Sequence, residues 1–347
     1  MDGRRIAEPA LVTGATGFIG RALVERLLHE GVRVRALVLP DEATEGVLPA
    51  GVELLRGDIA DALAVSAAMR GAGTVFHLAA VVGDWGAEEI FRRVTEGGTR
   101  NVFGAAAEAG TRVVLASRVV VYGTSIHTEV CSEDLPHGRA LGPYSRSKQQ
   151  QEHLAWEFAR SRQVKCTVVR PTNVYGPGSR PWVDQVVARL KTGALVLISG
   201  GEQNAGLVYV DNVVDVLVRA ARTDAAIGRT YNACDDSEIT WKQYFSDLAR
   251  LVRAKPPPSI PWPAAQLGAY ACEAAWRLLR LQSHPPLTCE ALNLVGSHHR
   301  VPIARARREL GYAPGVDYET GMRAVARYLE QADGTASPTP VDRARLS

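Results

Sequence analysis

The chain has 347 residues, 46% hydrophobic and 22% charged, the balance of a folded protein long enough for two domains or one large one. Its net charge of +3, with arginines scattered among acids, excludes a dedicated nucleic-acid surface. Five cysteines, far apart and without a Cys-x-x-Cys pair, exclude a disulfide framework or a metal knuckle and point to a reducing cytoplasm.

The first predicted strand covers 10–13 and follows a charged N-terminus that does not read as a signal peptide. It runs into Thr13-Gly14-Ala15-Thr16-Gly17-Phe18-Ile19-Gly20 and then a helix over 21–30. Three glycines spaced three apart between strand and helix permit a tight turn, a close approach to a pyrophosphate, and close helix–strand packing. The phosphates then meet the unpaired N–H groups and the positive end of the helix. Gly14, Thr16, Gly17, Phe18, Ile19 and Gly20 are therefore candidate dinucleotide contacts.

Further strands are predicted at 33–38, 52–56, 74–78, 112–116 and 165–170, with helices at 21–30, 63–70, 88–108 and 145–161. The alternation is that of a Rossmann-type, doubly wound parallel sheet with helices on both faces. After Pro171 the pattern loosens into a smaller α/β substrate domain. It has an outer strand at 196–199, a proline-rich wall or linker at 256–263, and helical patterns at 210–221, 241–252, 264–281 and 302–310. The expected division is 1–175 for nucleotide, 176–330 for substrate and interleaved with the first, and 331–347 as a disordered tail. The apolar stretch 264–281 is broken by Glu273, Arg277 and Arg280, so no segment spans a membrane; it reads as a helix covering a pocket or lying on an interface.

Tyr144-Ser145-Arg146-Ser147-Lys148 follows Gly142-Pro143, a helix start, so Tyr144 and Lys148 share one face a turn apart. A tyrosine hydroxyl titrates near ~10, too high for a proton shuttle at neutral pH unless a neighbouring cation favours the phenolate.

With that pair behind a dinucleotide turn, the chain resembles an extended short-chain dehydrogenase/reductase of the NAD-dependent epimerase/dehydratase type over roughly 8–330, closest to 3β-hydroxysteroid dehydrogenase and dihydroflavonol reductase relatives. The resemblance implies that Asp58 and Ile59 of Gly57-Asp58-Ile59 meet the adenine. Leu78, Ala79 and Ala80 would line the cofactor channel, and Pro171, Asn173 and Val174 would lie under the nicotinamide amide. It further implies that Tyr144 moves a proton at a substrate oxygen, that Lys148 holds the ribose, and that the cofactor is NAD(P) and does the redox chemistry. A cytoplasmic homodimer acting on a small molecule completes the expectation, with no metal.

The chain departs from the family's pattern in three places. Four residues before Tyr122 of Val121-Tyr122-Gly123, where a catalytic Ser or Thr is usual, stands Arg118, with Ser117 one residue early. Either a bulge brings Ser117 into the site or Arg118 occupies it, where a permanent cation can hold a carbonyl, carboxylate or enolate oxygen. At the end of the second strand Val38 replaces the acid that binds a ribose 2′-hydroxyl, with Asp41 a little late, which leans the cofactor toward NADP. Thr95 replaces an asparagine, with Asn101 available further along the helix.

Val82, Trp85, Thr124 and Tyr175 are candidate substrate contacts, and the apolar, aromatic stretch between Trp262 and Trp276 suits a greasy ring system; packing at a domain interface is the plainer role for Trp85, Trp182 and Trp262. The leading expectation is an oxidoreductase interconverting a hydroxyl and a keto group on a bulky, mostly apolar molecule such as a steroid, flavonoid or polyketide of secondary metabolism. The alternatives are a nucleotide-sugar epimerase or dehydratase using Arg180, Arg189 and Lys191 for a diphosphate, a binding protein that has lost turnover, and a non-redox isomerase or cyclase using Tyr144 and Arg118.

Overall fold

The structure is a computed structural model that describes residues 5–281 and 283–335. Short apolar runs form the strands of the central sheet: β1 (Ala10–Thr13), β2 (Val34–Val38), β3 (Glu53–Arg56), β4 (Thr74–His77), β5 (Arg112–Ala116) and β6 (Cys166–Pro171). All four residues of β1 and of β4 are buried, as expected where helices cover both faces of a parallel sheet. β3 is an edge strand, and its Glu53 pairs in register with Arg35 of β2 at 2.8 Å.

Later strands are β7 (Asn173–Tyr175), β8 (Leu197–Ile198), β9 (Leu207–Tyr209), β10 (Thr230–Ala233) and β11 (Ser259–Ile260). β10 pairs with β6 and completes a seven-stranded parallel sheet of order β10-β6-β5-β4-β1-β2-β3. That strand was not expected from the sequence: it is four residues long and falls between the helical patterns at 210–221 and 241–252. β7 pairs with β9, and β11, formed from the proline-rich stretch, pairs with β8.

The helices are α1 (Phe18–His29), α2 (Ala62–Met69), α3 (Glu88–Ile90), α4 (Gly98–Ala109), α5 (Pro143–Ser161), α6 (Gln185–Lys191), α7 (Val210–Arg222), α8 (Trp241–Leu251), α9 (Trp262–Leu278), α10 (Cys289–Gly296), α11 (Ala304–Leu310) and α12 (Tyr318–Thr335). A π-helical segment, Phe91–Gly97, joins α3 to α4. Of the tail expected from Gln331 onward, 331–335 continue α12, and the rest lies outside the described residues. Among the described residues no helix is long and apolar enough to cross a membrane. α9 buries Ala265, Ala269 and Glu273 while leaving Leu267, Tyr270 and Leu278 exposed.

The core has two main bodies, one on each face of the sheet. One joins β1 and β2 to α1, α7 and α8; the other packs Met69, Phe103 and Ala155 against β4 and β5. β1 pairs with β2 on one side and β4 on the other, so chain direction across the sheet reverses there. A crevice at the carboxyl ends of the strands follows from that topology.

Candidate active site

A cavity of about 380 Å³ occupies that crevice. One end is the glycine turn. Gly14 adopts φ +72°, and a Cβ there would meet the Ala79 amide nitrogen at 2.8 Å; at Gly20 a Cβ would meet the Gly14 carbonyl at 2.0 Å. α1 begins with neither a side-chain cap nor an acid in its first turn, so its first N–H groups stay open to an anion in the cavity. Thr16, Gly17, Phe18, Ile19, Asp58, Ile59, Leu78, Ala79 and Ala80 continue the wall. Asn101 Nδ2 donates to the Ile59 carbonyl at 2.9 Å, and Thr95, the departure here, accepts the Val81 N–H at 3.0 Å through its Oγ1. A helix N-terminus stripped of caps, with glycines where a backbone must come close, fits a dinucleotide.

Glu42, which sequence reasoning missed, also lines this end. Its carboxylate accepts from Thr16 Oγ1 at 2.5 Å and from the Leu39 N–H at 3.1 Å, because the chain after β2 folds back over the turn. Arg33 and Arg35 point elsewhere, to Glu8 and Glu53.

At the other end stand Tyr144 and Lys148 on α5. Pro143 at the first helical position and Ser145, whose Oγ accepts the Leu141 and Gly142 N–H groups, start this helix at that point. Both side chains are buried and line the cavity. Lys148 Nζ donates to the Ala116 carbonyl at 3.0 Å and to Gln151 Oε1 at 2.8 Å. Gln151 continues through Thr99 to His77 and Thr13, a buried polar chain that ties the lysine to the ends of β4 and β1. Burial, with the Arg118 charge, brings Lys148 down to about 7, and burial with the Lys148 charge brings His77 down to about 3, so that imidazole is neutral. Burial pushes the Tyr144 phenol above its ordinary value, while the charge and hydrogen bond of Arg118 pull the other way.

Ser117 and Arg118 both reach the cavity. β5 ends at Ala116, and the chain enters a 3-10 turn over Val119–His127, so the strict alternation of strand neighbours no longer holds at these two residues. Arg118 Nη2 donates to Asn173 Oδ1 at 3.0 Å, and its Cζ lies 5.9 Å from the centre of the Trp182 ring. Asn173 thus touches Arg118 without itself lining the cavity, whereas Pro171, Val174 and Val82 do line it. Trp182 belongs to the wall, a placement that sequence alone did not separate from interface packing.

The other substrate candidates lie outside that wall. Trp85 stacks under Arg277, 5.3 Å from ring centre to Cζ. Thr124 follows Gly123, its N–H donating to the Arg139 carbonyl. Tyr175 is fully buried, edge-on to Tyr209 and Tyr244. Arg180 and Arg189 are exposed, and neither they nor Lys191 line the cavity.

Glu290, on α10, is a second acid that no sequence signal marked. It is buried against the start of α5, accepts from Ser145 Oγ at 3.3 Å, and has Oε1 without a partner. Burial and the nearby Asp84 raise it to about 8, while hydrogen bonds from His284 and Thr288 hold Asp84, despite its burial, below the usual carboxylate value.

Known proteins align along most of this chain. A 2-alkyl-3-oxoalkanoate reductase of Stenotrophomonas maltophilia is 30% identical over 335 residues, covering 90% of this chain and 97% of its own. A 4-hydroxy-2-methyl-3-oxo-4-farnesyl-3,4-dihydroquinoline-1-oxide ketoreductase of Stigmatella aurantiaca is 29% identical, covering 90% and 94%. The crystal structure of a UDP-glucose 4-epimerase from Thermotoga maritima shares the fold with a TM-score of 0.75 at 22% identity, covering 93% and 99%. Residues 10–234 match the NAD dependent epimerase/dehydratase family, to which this chain belongs as an NAD(P)-dependent enzyme of the extended short-chain dehydrogenase/reductase type.

Proposed function

We propose that this enzyme reduces a keto group, or oxidises the corresponding alcohol, on a largely apolar small molecule, with Tyr144 as the acid–base residue. The observation that carries the reading is Tyr144 beside Lys148 in the wall of a cavity that Ser117, Arg118 and the apolar Val82, Val94, Pro181 and Trp182 also line. Two of the aligned relatives are named for ketoreduction, which agrees with it. The cations that a nucleotide-sugar diphosphate would need stay outside the wall, which counts against the epimerase alternative.

Gly14, Thr16, Gly17, Phe18, Ile19 and Gly20 would hold the pyrophosphate, and Asp58, Ile59, Leu78, Ala79, Ala80, Pro171 and Val174 the rest of the cofactor. Bound there, the nicotinamide supplies or accepts hydride at its C4. Glu42 supports NAD over NADP, against the lean taken from Val38, because a carboxylate beside the ribose pocket repels a 2′-phosphate. Tyr144 is protonated at neutral pH and gives its proton to the carbonyl oxygen as hydride arrives at carbon. Lys148, fixed by Ala116 and Gln151, keeps a donor beneath the phenol. The polar chain through Thr99 and His77 holds that lysine in place without competing for its charge. A dimer remains part of the reading through the family alone.

The test is oxidation of NADH or NADPH with long-chain ketones and steroid, flavonoid or polyketide ketones as substrates. Tyr144→Phe is expected to lower kcat by about a hundredfold to ten-thousandfold while cofactor binding persists. Activity with nucleotide sugars alone, or full activity of Tyr144→Phe, overturns the reading.

A further inference from the structure

A surface helix normally buries its apolar stripe and shows its charges to water. α9 does the reverse. It buries Ala265, Ala269 and its one acid, Glu273, whose carboxylate accepts the Cys289 N–H at 2.8 Å and pairs with Arg277 at 2.8 Å. Leu267, Tyr270 and Leu278 face outward at 72%, 54% and 83% exposure, with the exposed Ala271 and Ala274 between them. Steps of three or four residues put these side chains on one stripe of the helix. Leu279 and Leu281, also exposed, follow directly past its end. Five of the twelve large hydrophobic side chains exposed among the described residues therefore fall within 267–281, and the other seven are scattered along 39–251. A contiguous apolar patch of this kind marks an interaction surface.

The charge around the stripe has one sign. Between Lys255 and Glu290 the sequence holds no acid other than Glu273, which is turned inward, whereas Arg277 and Arg280 are exposed at the end that carries Leu278, Leu279 and Leu281. A second copy of the chain meeting this face by two-fold symmetry must be complementary to the same face, and cations without an exposed acid are not. An anionic lipid surface meets both needs, with acyl chains for the leucines and negative headgroups for the arginines. We propose that α9 lies flat on an anionic bilayer surface, with its apolar stripe in the headgroup–acyl boundary and Arg277 and Arg280 among the headgroups. One rim of the active-site cavity is fastened to this region. Trp85 lies under Arg277, while Asp84 bonds to His284 at 2.7 Å and accepts from Thr288. Val82, two residues before Asp84, is exposed and lines the cavity. Docking α9 therefore holds that rim within a few residues' reach of the bilayer, into which an apolar substrate, on the reading above, partitions.

The experiment is sedimentation of the full chain with vesicles of phosphatidylcholine alone and of phosphatidylcholine mixed with phosphatidylglycerol. The wild type is expected to bind the anionic vesicles about tenfold to thirtyfold more tightly, the fold-change of two arginines at a charged surface. Arg280→Gln should cut that preference about fivefold. Leu267→Ser with Leu278→Ser should weaken binding to both vesicles at least about tenfold; both side chains already face water, so Tm and NADH binding should not change. Equal binding to the two vesicles, binding to neither, an unaltered preference in Arg280→Gln, or unaltered binding by the leucine variant overturns the proposal. So does a lower oligomeric state of the leucine variant in lipid-free solution, read by analytical ultracentrifugation, because a second copy then covers the face. Lipid binding is read without turnover, so its failure leaves the oxidoreductase reading standing, and the absence of any ketone or alcohol turnover leaves the docking surface standing.

Discussion

The proposed preference for NAD rests on Glu42, a side chain outside any motif. It closes on Thr16 over the glycine turn, and Arg56 holds its backbone by donating to the Leu39, Pro40 and Glu42 carbonyls. Glu42→Gln removes the repulsion toward a 2′-phosphate, so the ratio of kcat/KM for NADPH over NADH should rise by about tenfold, equivalent to about 1.4 kcal/mol; steady-state kinetics with the two cofactors check it. Sequence counting looked for this acid at Val38 and then at Asp41, because distance along a strand says nothing about a loop that doubles back. Tyr144 and Lys148 were legible, since a one-turn spacing on a helix is a local property. Ser117 and Arg118 were left open because strand alternation stops at Ala116, and only the course of the chain into the next turn puts both on the cavity.

At the scale of elements, α5 is the piece on which the site depends. Its inner face carries Tyr144 and Lys148 and then Glu152, which is fully buried and accepts from Arg170 of β6 at 2.9 and 2.7 Å and from His137 at 2.9 Å. Arg170 also donates to the Tyr122 hydroxyl at 2.9 Å, and Tyr122 donates to Asn232 on β10. The cluster therefore bolts helix, 3-10 turn and two strands together below the cavity. Glu152→Gln leaves a buried guanidinium without its counter-charge and should cost about 3–5 kcal/mol of stability, read from urea unfolding. The Tyr-Gly segment and Arg170-Pro171 were visible in the sequence as motifs, but their joint burial was not. β10, α10 and α12 were also missed; β10 pairs with β6, and α10 and α12 reach Ser145, Asp247 and Asp184, all far off along the chain.

For the whole molecule, buried acids make stability depend on pH in two directions. Glu152 is held at about 2, first against burial and then by Arg170 and His137, so the folded state binds fewer protons than the unfolded chain between that value and 4.5. Its stabilisation is present above 4.5 and lost as pH falls toward 2. Glu290 is raised to about 8, so the folded state binds more protons between 4.5 and 8, and stability is lost as pH rises through that window. His77 and His299, both kept neutral by burial, act in the opposite sense at the acid end, so the clean measurement is a difference. The Tm of Glu290→Gln minus that of the wild type should grow as pH goes from 4.5 to 8; a flat difference would show that Glu290 titrates in the fold as it does in the unfolded chain.

Sequence by itself determined the sheet of alternating strands and helices, the glycine turn and the Tyr144–Lys148 pair. Each of these is written in spacing along a short stretch, and backbone geometry turns such spacing directly into position. Tertiary structure alone decided that Arg118 and Ser117 share one wall, that Trp182 lies under the guanidinium, that Glu42 lines the other end, and that Glu290 packs against the start of α5. Those neighbours come from turns, strand ends and α10, separated by up to 248 residues along the chain. Only the packing of the two parts of the fold around one crevice gives them a common charge environment.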